Sequence, residues 1–328
     1  MYPATLRCFR SRKHRRPLSA GFDRSISPGE AAISELDSTP RLAVVIINFD
    51  SGDHLRNCIA NLPAAVNGVD GELIVVDNAS SDGSLDGIEQ QYPQVTVIRN
   101  SVNKGYGRAC NQGFAATGAP LVCFLNPDLV PDAGSLAQMV EAIEARPRVG
   151  VLGPRLNNPD GSRYPSCRVV PSLGVAIGHA TLGLLTSNNR FTRAYQLSDL
   201  NHDEEREVDW VSGAAMLTRR EAFQQVNGFD EGFFMYVEDV DLCARLREAG
   251  WRALYYPQAQ MLHHVAGSSR RTPYRMIRHH HFSLMRYAYR RTKGPARILL
   301  PLIAAGLGVR MVLVWVDLFI RMRTGKSR

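Results

Sequence analysis

Arg41-Leu-Ala-Val-Val-Ile-Ile-Asn-Phe-Asp-Ser-Gly52 decides how this chain folds. Leu42 to Ile47 are six apolar residues in a row, four of them β-branched, with no polar face to offer to water. A strand buried on both sides of a parallel sheet has this texture. The run stops at Asn48, and the turn-forming residues up to Gly52 lead into an amphipathic stretch ending near Leu62. The cycle then recurs. Glu72–Val76 runs into Asp77-Asn78-Ala-Ser-Ser-Asp-Gly83 and an expected helix to about Tyr92. Val95–Ile98 is followed by a helix from about Gly105. Leu121–Leu125 runs into Asn126-Pro127-Asp128 and a helix from about Gly134 to Arg146, and Val149–Leu152 is a fifth strand.

Strands alternating with helices at this spacing predict an α/β fold, a twisted and mainly parallel sheet with helices on both faces. Such sheets bind ligands at the carboxyl ends of their strands. Here those ends carry Asn48, Asp77, Asn78, Asn103, Asn126 and Asp128. Beyond a loosely patterned region at 165–207, order returns with strands at Val208–Val211 and Ala214–Leu217, then a helix to about Val226. A helix from Glu238 to about Ala249 and a strand at Trp251–Tyr256 follow. The expected organisation is a basic leader over 1–40, a catalytic domain over 41–269 and a helical tail over 270–328. The domain divides into a nucleotide half (41–155) and an acceptor half (156–269).

The net charge of +8 is unevenly spread. Residues 1–40 carry 7 Lys/Arg against 4 Asp/Glu, residues 270–328 carry 14 against 1, and the middle holds 18 against 26. The tail interleaves its arginines with apolar stretches, which fits an anionic membrane surface and not a nucleic acid. Residues 298–320 are apolar enough to span a bilayer but are interrupted by Pro301, Arg310 and Asp317, so an interfacial amphipathic hairpin and a true span are both open. The leader lacks an apolar run of useful length, so no secretory signal is expected, and it reads as a solvated tail. Six scattered cysteines without a CxxC pair suggest a reduced compartment, with Cys123 in the core.

Two acidic stations carry the chemistry. Asn126-Pro127-Asp128 follows a buried strand directly, where a single carboxylate can hold Mg²⁺ or Mn²⁺ together with water and phosphate oxygens. The plainer alternative is an Asx turn before a helix. Glu238-Asp239-Val240-Asp241 opens a helix, where acids are also favoured by the helix dipole. Adjacent helical residues point about 100° apart, so Asp239 is read as a general base and Glu238 as an orienting or acceptor-binding group. His263-His264 could give a nitrogen ligand to the cation, whereas His279-His280-His281 fans around a helix and is read as interfacial. Asn103-Lys104-Gly105-Tyr106-Gly107-Arg108 allows close backbone approach to a ligand but lacks both GxGxxG and P-loop spacing.

Taken together and in order, these segments resemble family 2 glycosyltransferases of the GT-A fold. The likeness runs through Val45–Gly52, Val76–Gly83, Asn103-x-Gly105-Tyr-Gly-x-Ala109-x-Asn111-x-Gly113 and Asn126-Pro127-Asp128. It continues through Ser212-Gly213-Ala214, Gly228-Phe-Asp-Glu231 and Glu238–Leu242. Asp160-Gly161-Ser162-x-Tyr164-Pro165-Ser166 and Leu262-His263-His264 are similar to the mycobacterial-type rhamnosyltransferase branch of cell-wall linker assembly. The resemblance implies an inverting transfer from dTDP-L-rhamnose to an N-acetylglucosaminyl diphosphoryl polyprenol. It implies that Asp77 contacts the nucleobase, that Asp128 binds the cation and that Asp239 is the base. It also implies a C-terminal histidine at the metal or diphosphate. His264 fits best by its spacing to Gly267 and Ser269, with His263 still open. Asn126 replaces the first acid of the family's usual DxD motif. The expected place of work is the cytoplasmic face of the plasma membrane, peripheral or C-terminally anchored. UDP-sugars as donors remain an alternative. A nucleotidyltransferase would want a basic loop after the first strand, where Asn48–Gly52 has no Lys or Arg, and a pure sugar-nucleotide binder would need no base.

Overall fold

The computed structural model describes Phe9 and residues 39–168, 202–265 and 273–324. Strands β1 (Leu42–Asn48), β2 (Gly71–Asp77), β3 (Thr96–Arg99) and β4 (Leu121–Leu125) form a parallel block in the order β3-β2-β1-β4. Every residue of β1, β2 and β4 is buried, as an unbroken apolar run requires. The sheet continues through β11 (Ala215–Arg219), antiparallel to β4, and then β6 (Val149–Asn157), β12 (Arg252–His263) and β5 (Leu129–Pro131). Short strands β7 (Arg163–Tyr164) and β9 (Arg206–Val208) pair with β6 and β12, and β8 (Cys167–Arg168) pairs with β10 (Trp210–Val211) in a separate ribbon.

Helices α1 (His54–Val66) and α4 (Ser135–Glu144) cover one face of the sheet. Helices α3 (Tyr106–Ala115), α5 (Arg220–Gln225) and α6 (Glu238–Glu248) cover the other; α2 (Ile88–Gln91) is a single turn. Burying one Val, Ile or Leu from each face contributes about 1.5–3 kcal/mol, so the double-sided strands are the main source of stability. Gly113 marks the closest approach of α3 to the sheet, since a Cβ there would collide with the Val45 side chain.

Several elements differ from expectation. The helix expected up to Tyr92 shrinks to α2, while β6 and β12 extend well past their predicted ends, and β5 was not expected. The boundary at 155/156 falls inside β6, and both halves feed one sheet. Within the leader, Phe9 is no solvated residue: it is buried against Gly71 at the start of β2, which it meets in a parallel bridge. The rest of 1–38 lies outside the described residues, as do most of the 165–207 region and the Gly267 and Ser269 used to rank His264.

The tail forms a helical hairpin, α7 (Pro273–Arg291) packed against α8 (Leu300–Thr324), joined by a 3₁₀ turn at Gly294–Leu299. Helix Gly294–Thr324 is long and apolar enough to cross a membrane. The expectation that His279–His281 face a membrane interface is corrected by the packing. His279 stacks on Phe234 at 4.3 Å, His280 meets the edge of Tyr236 at 5.5 Å, and His281 is buried beside Arg310 of α8 at 3.1 Å.

Candidate active site

The parallel register aligns the strand ends: Asn48 pairs with Asp77, and Asp77 with Arg99. Asn48 is wholly buried. Its amide donates to Asp77 Oδ1 (2.9 Å), Ser84 Oγ (2.9 Å) and Ser80 Oγ (3.1 Å). It therefore fixes Asp77, whose Oδ2 also accepts the Ser80 N–H at 3.1 Å. A cavity of about 560 Å³ opens beside Asp77, lined by Ser80, Arg99 and Asn100 among others. Asn78 is likewise buried; its amide donates to the Gly105 carbonyl at 3.2 Å and its oxygen accepts from Asn100 at 3.0 Å. Asn103 Oδ1 accepts the Gly105 N–H at 2.9 Å. These asparagines tie down a loop.

That loop in turn frames Asp239. Gly105 has φ +87°, and a Cβ on it would strike the Phe234 carbonyl oxygen, so only glycine fits. The next N–H, from Tyr106, donates to the same carbonyl at 2.9 Å. The Tyr106 hydroxyl donates to the Gly213 carbonyl, and the Gly213 N–H donates to Asp239 Oδ2 at 3.0 Å. Gly213 thus orients the carboxylate. Tyr236 and Val237, both at φ +69°, form a left-handed pair immediately before Glu238, a strained backbone of the kind that collects at functional sites.

The two adjacent acids differ in environment. Burial pushes Glu238 up to about 8, reinforced by the charge of Asp239, and its Oε2 is buried without a hydrogen-bond partner. Burial also raises Asp239, but the N–H groups of Gly213 and Val240 and the charge of Arg168 oppose it. The proton is therefore favoured on Glu238, while two N–H donors favour the ionised form of Asp239, which is partly buried at the start of α6.

The second station forms where β5 and β12 run antiparallel, His263 opposite Leu129. His263 Nε2 lies 3.4 Å from Asp128 Oδ1, and both residues are buried. His264 gives Asp128 its backbone N–H, to the carbonyl at 3.1 Å, while its ring packs on His54 at 5.1 Å. Side chains alternate along an extended chain, so one of the two histidines can turn to the carboxylate, and it is His263. Among the described residues there is no cluster of three or more His, Cys, Asp or Glu fit to hold a metal ion. A carboxylate oxygen and an imidazole nitrogen facing each other at 3.4 Å nevertheless suit a cation that takes its remaining ligands from diphosphate and water. Asn126 is held by its backbone, its N–H donating to the Ala214 carbonyl at 2.8 Å.

Between the stations stands Tyr164, to which sequence reasoning gave no role. Its ring meets His263 edge-on at 4.6 Å. Burial raises its pKa, as do the negative charges of Asp239 and Asp128. Arg168, stacked over Trp210 at 5.4 Å, supplies the nearby positive charge. The only sequence signal for Tyr164 was its place in Asp160–Ser166.

The family described as Glycosyl transferase family 2 matches residues 43–226, and one described as N-terminal domain of galactosyltransferase matches 201–280. The chain is 40% identical over 256 residues to N-acetylglucosaminyl-diphospho-decaprenol L-rhamnosyltransferase of Mycobacterium tuberculosis, covering 75% of this chain and 83% of that one. It is 29% identical over 259 residues to Rhamnosyltransferase WbbL of Escherichia coli, covering 76% and 92%. Among solved structures, the mannosyltransferase PcManGT of Pyrobaculum calidifontis, in complex with GDP-Man and Mn²⁺, shares the fold with a TM-score of 0.52. Sequence identity there is 16%, over 88% of this chain and 80% of that one.

Proposed function

Because this chain belongs to glycosyl transferase family 2, we propose that it is an inverting rhamnosyltransferase, moving L-rhamnose from dTDP-L-rhamnose to an N-acetylglucosaminyl diphosphoryl polyprenol. The observation that carries this reading is the 40% identity to the mycobacterial rhamnosyltransferase over 83% of its length. The site chemistry supports it. Asp239 accepts the proton of the acceptor hydroxyl, the freed oxygen forms a bond to the anomeric carbon, and the bond from that carbon to the diphosphate oxygen breaks with inversion. General-base help of this kind contributes roughly 10²–10⁴-fold. Glu238, protonated, keeps a second negative charge away from the nucleophile and can donate to the acceptor.

Asp77 and its neighbouring cavity take the nucleobase, with Asn48, Asn78, Asn103 and Gly105 holding the walls and Gly213 aiming the base. Asp128 and His263, with Asn126 beside them, hold Mg²⁺ or Mn²⁺. When bound, that cation supplies positive charge for the departing diphosphate. We read the enzyme's place of work as the cytoplasmic face of the plasma membrane, and the hairpin of the tail supports an attachment lying in the membrane plane. α8 is bound along α7, and α7 to the catalytic domain, so a perpendicular α8 would draw the arginines of α7 into the bilayer, at about 2.5–3.5 kcal/mol each. Assaying the full chain with a panel of nucleotide sugars and polyprenyl-linked acceptors tests the reading. Rhamnosyl transfer from the dTDP donor is expected, and exclusive use of a UDP-sugar would overturn it.

A further inference from the structure

We propose that the N-terminal half of α7, with Arg275 and Arg278 as its cations, binds the diphosphate of the isoprenoid-linked acceptor. This rests on the acceptor being a lipid-linked diphosphate, as read above. The arginines of α7 fall into two groups. Arg286 grips Asp230 through two bonds from one nitrogen (2.8 and 3.0 Å), Arg290 reaches Asp230 at 3.0 Å, and Arg291 pairs with Glu248 at 2.9 Å. These three are neutralised by the acidic body and fasten the helix to it. Arg275 and Arg278 are exposed and pair with no carboxylate among the described residues. Two uncompensated guanidinium groups one helical turn apart suit a ligand that brings its own negative charge and several oxygen acceptors.

Their position ties that charge to the reaction. The Arg275 guanidinium lies over the Phe234 ring at 5.6 Å, and His279 stacks on the same ring at 4.3 Å. Phe234 belongs to the loop that delivers Asp239, and its carbonyl accepts the Tyr106 N–H. His279 accepts from Arg275 Nε at 3.4 Å, and burial with the charges of Arg275 and Arg278 holds it below the usual imidazole range. On its other side this half of α7 meets the C-terminal half of α8, Tyr274 facing Trp315 at 6.3 Å. There α8 exposes Val312, Val316 and Phe319. A cationic patch with the base loop on one side and an apolar helix on the other matches an acceptor whose diphosphate joins a sugar to an isoprenoid chain.

The test is vesicle binding by the full chain, without any sugar donor. Phosphatidylcholine vesicles carry either a polyprenyl diphosphate or phosphatidylglycerol at equal total charge. The wild type should bind the diphosphate vesicles about 10-fold more tightly, the scale of one or two charge-assisted hydrogen bonds. R275A/R278A should lose that preference, and R275K/R278K should recover part of it. In transfer assays the acceptor KM of the alanine variant should rise by a similar factor while the donor KM holds. Equal binding of both vesicle types by the wild type, or an undiminished preference in the alanine variant, would overturn the proposal. Since no donor is present, a wrong donor assignment leaves the binding result untouched.

Discussion

The backbone N–H of Gly213 donates to Oδ2 of Asp239 at 3.0 Å, joining the strand-end segment Ser212-Gly213-Ala214 to the first turn of α6. The bond both aims the carboxylate and favours its ionised form, which a base must have before it meets the acceptor. Asp239→Asn keeps the size and loses the basicity. Transfer should fall by about 10²-fold or more, while donor binding measured by calorimetry stays near wild type. Persistent transfer would remove Asp239 from its role.

Glu238 should behave differently from its neighbour. With the proton already on it near pH 7, Glu238→Gln is close to isosteric and should keep transfer within about threefold of wild type. Its stability should respond to pH in a defined direction. A carboxyl whose folded pKa, about 8, lies above its ordinary value of 4.5 binds its proton more tightly in the folded state. Its contribution is complete below the ordinary value and is lost as pH rises through about 8. Thermal melts across that window should show the wild type losing stability with rising pH and Glu238→Gln losing less. Inactivity of the glutamine variant near neutral pH would make Glu238 a catalytic group and sink the proton assignment.

Metal activation separates the two histidines. His263 turns its ring to Asp128 at 3.4 Å, whereas the His264 ring rests on His54. His263→Ala should raise the Mg²⁺ or Mn²⁺ concentration needed for half-activity by roughly 10-fold or more, the effect of losing one ligand from a sparse set. His264→Ala should leave it nearly unchanged, and chelation by EDTA should abolish transfer in the wild type. A stronger effect from His264 would reverse the assignment.

Which parts of this were legible in the sequence follows from burial. β1, β2 and β4 are enclosed on both faces, so their apolar runs announce them and mark the polar residues at their ends. β5 has only three residues, and β12 contains Pro257 and register shifts between Arg252 and Ala253 and between Tyr256 and Gln260, so neither shows a clean period. The orientation of His263 depends on its pairing with Leu129, a register set by residues far apart in the chain. Asn48 was legible as a strand-end residue but not as a buried one, because an asparagine facing a ligand and one facing Asp77 read alike. The charge split was visible, yet part of it is internal: Arg286 and Arg290 neutralise Asp230 instead of facing a membrane.

Tyr164 offers the most discriminating substitution, because its ring and its hydroxyl do separate work. The ring packs edge-on against His263, holding the imidazole toward Asp128, while the hydroxyl lies within the field of both Asp239 and Asp128. Tyr164→Phe keeps the ring, so metal activation should not change. It removes a hydroxyl that could bond the substrate in the field of both acids, and kcat should fall by roughly 3–10-fold, in line with one hydrogen bond of about 0.5–1.5 kcal/mol. Tyr164→Ala removes the support as well, so the metal requirement should shift toward that of His263→Ala in addition to the loss in kcat. Because the two residues touch, the double variant Tyr164→Ala/His263→Ala should lose less metal affinity than the sum of the single losses. Strict additivity in that cycle would mean that Tyr164 does not act through His263, and its place between the stations would then concern the sugar alone.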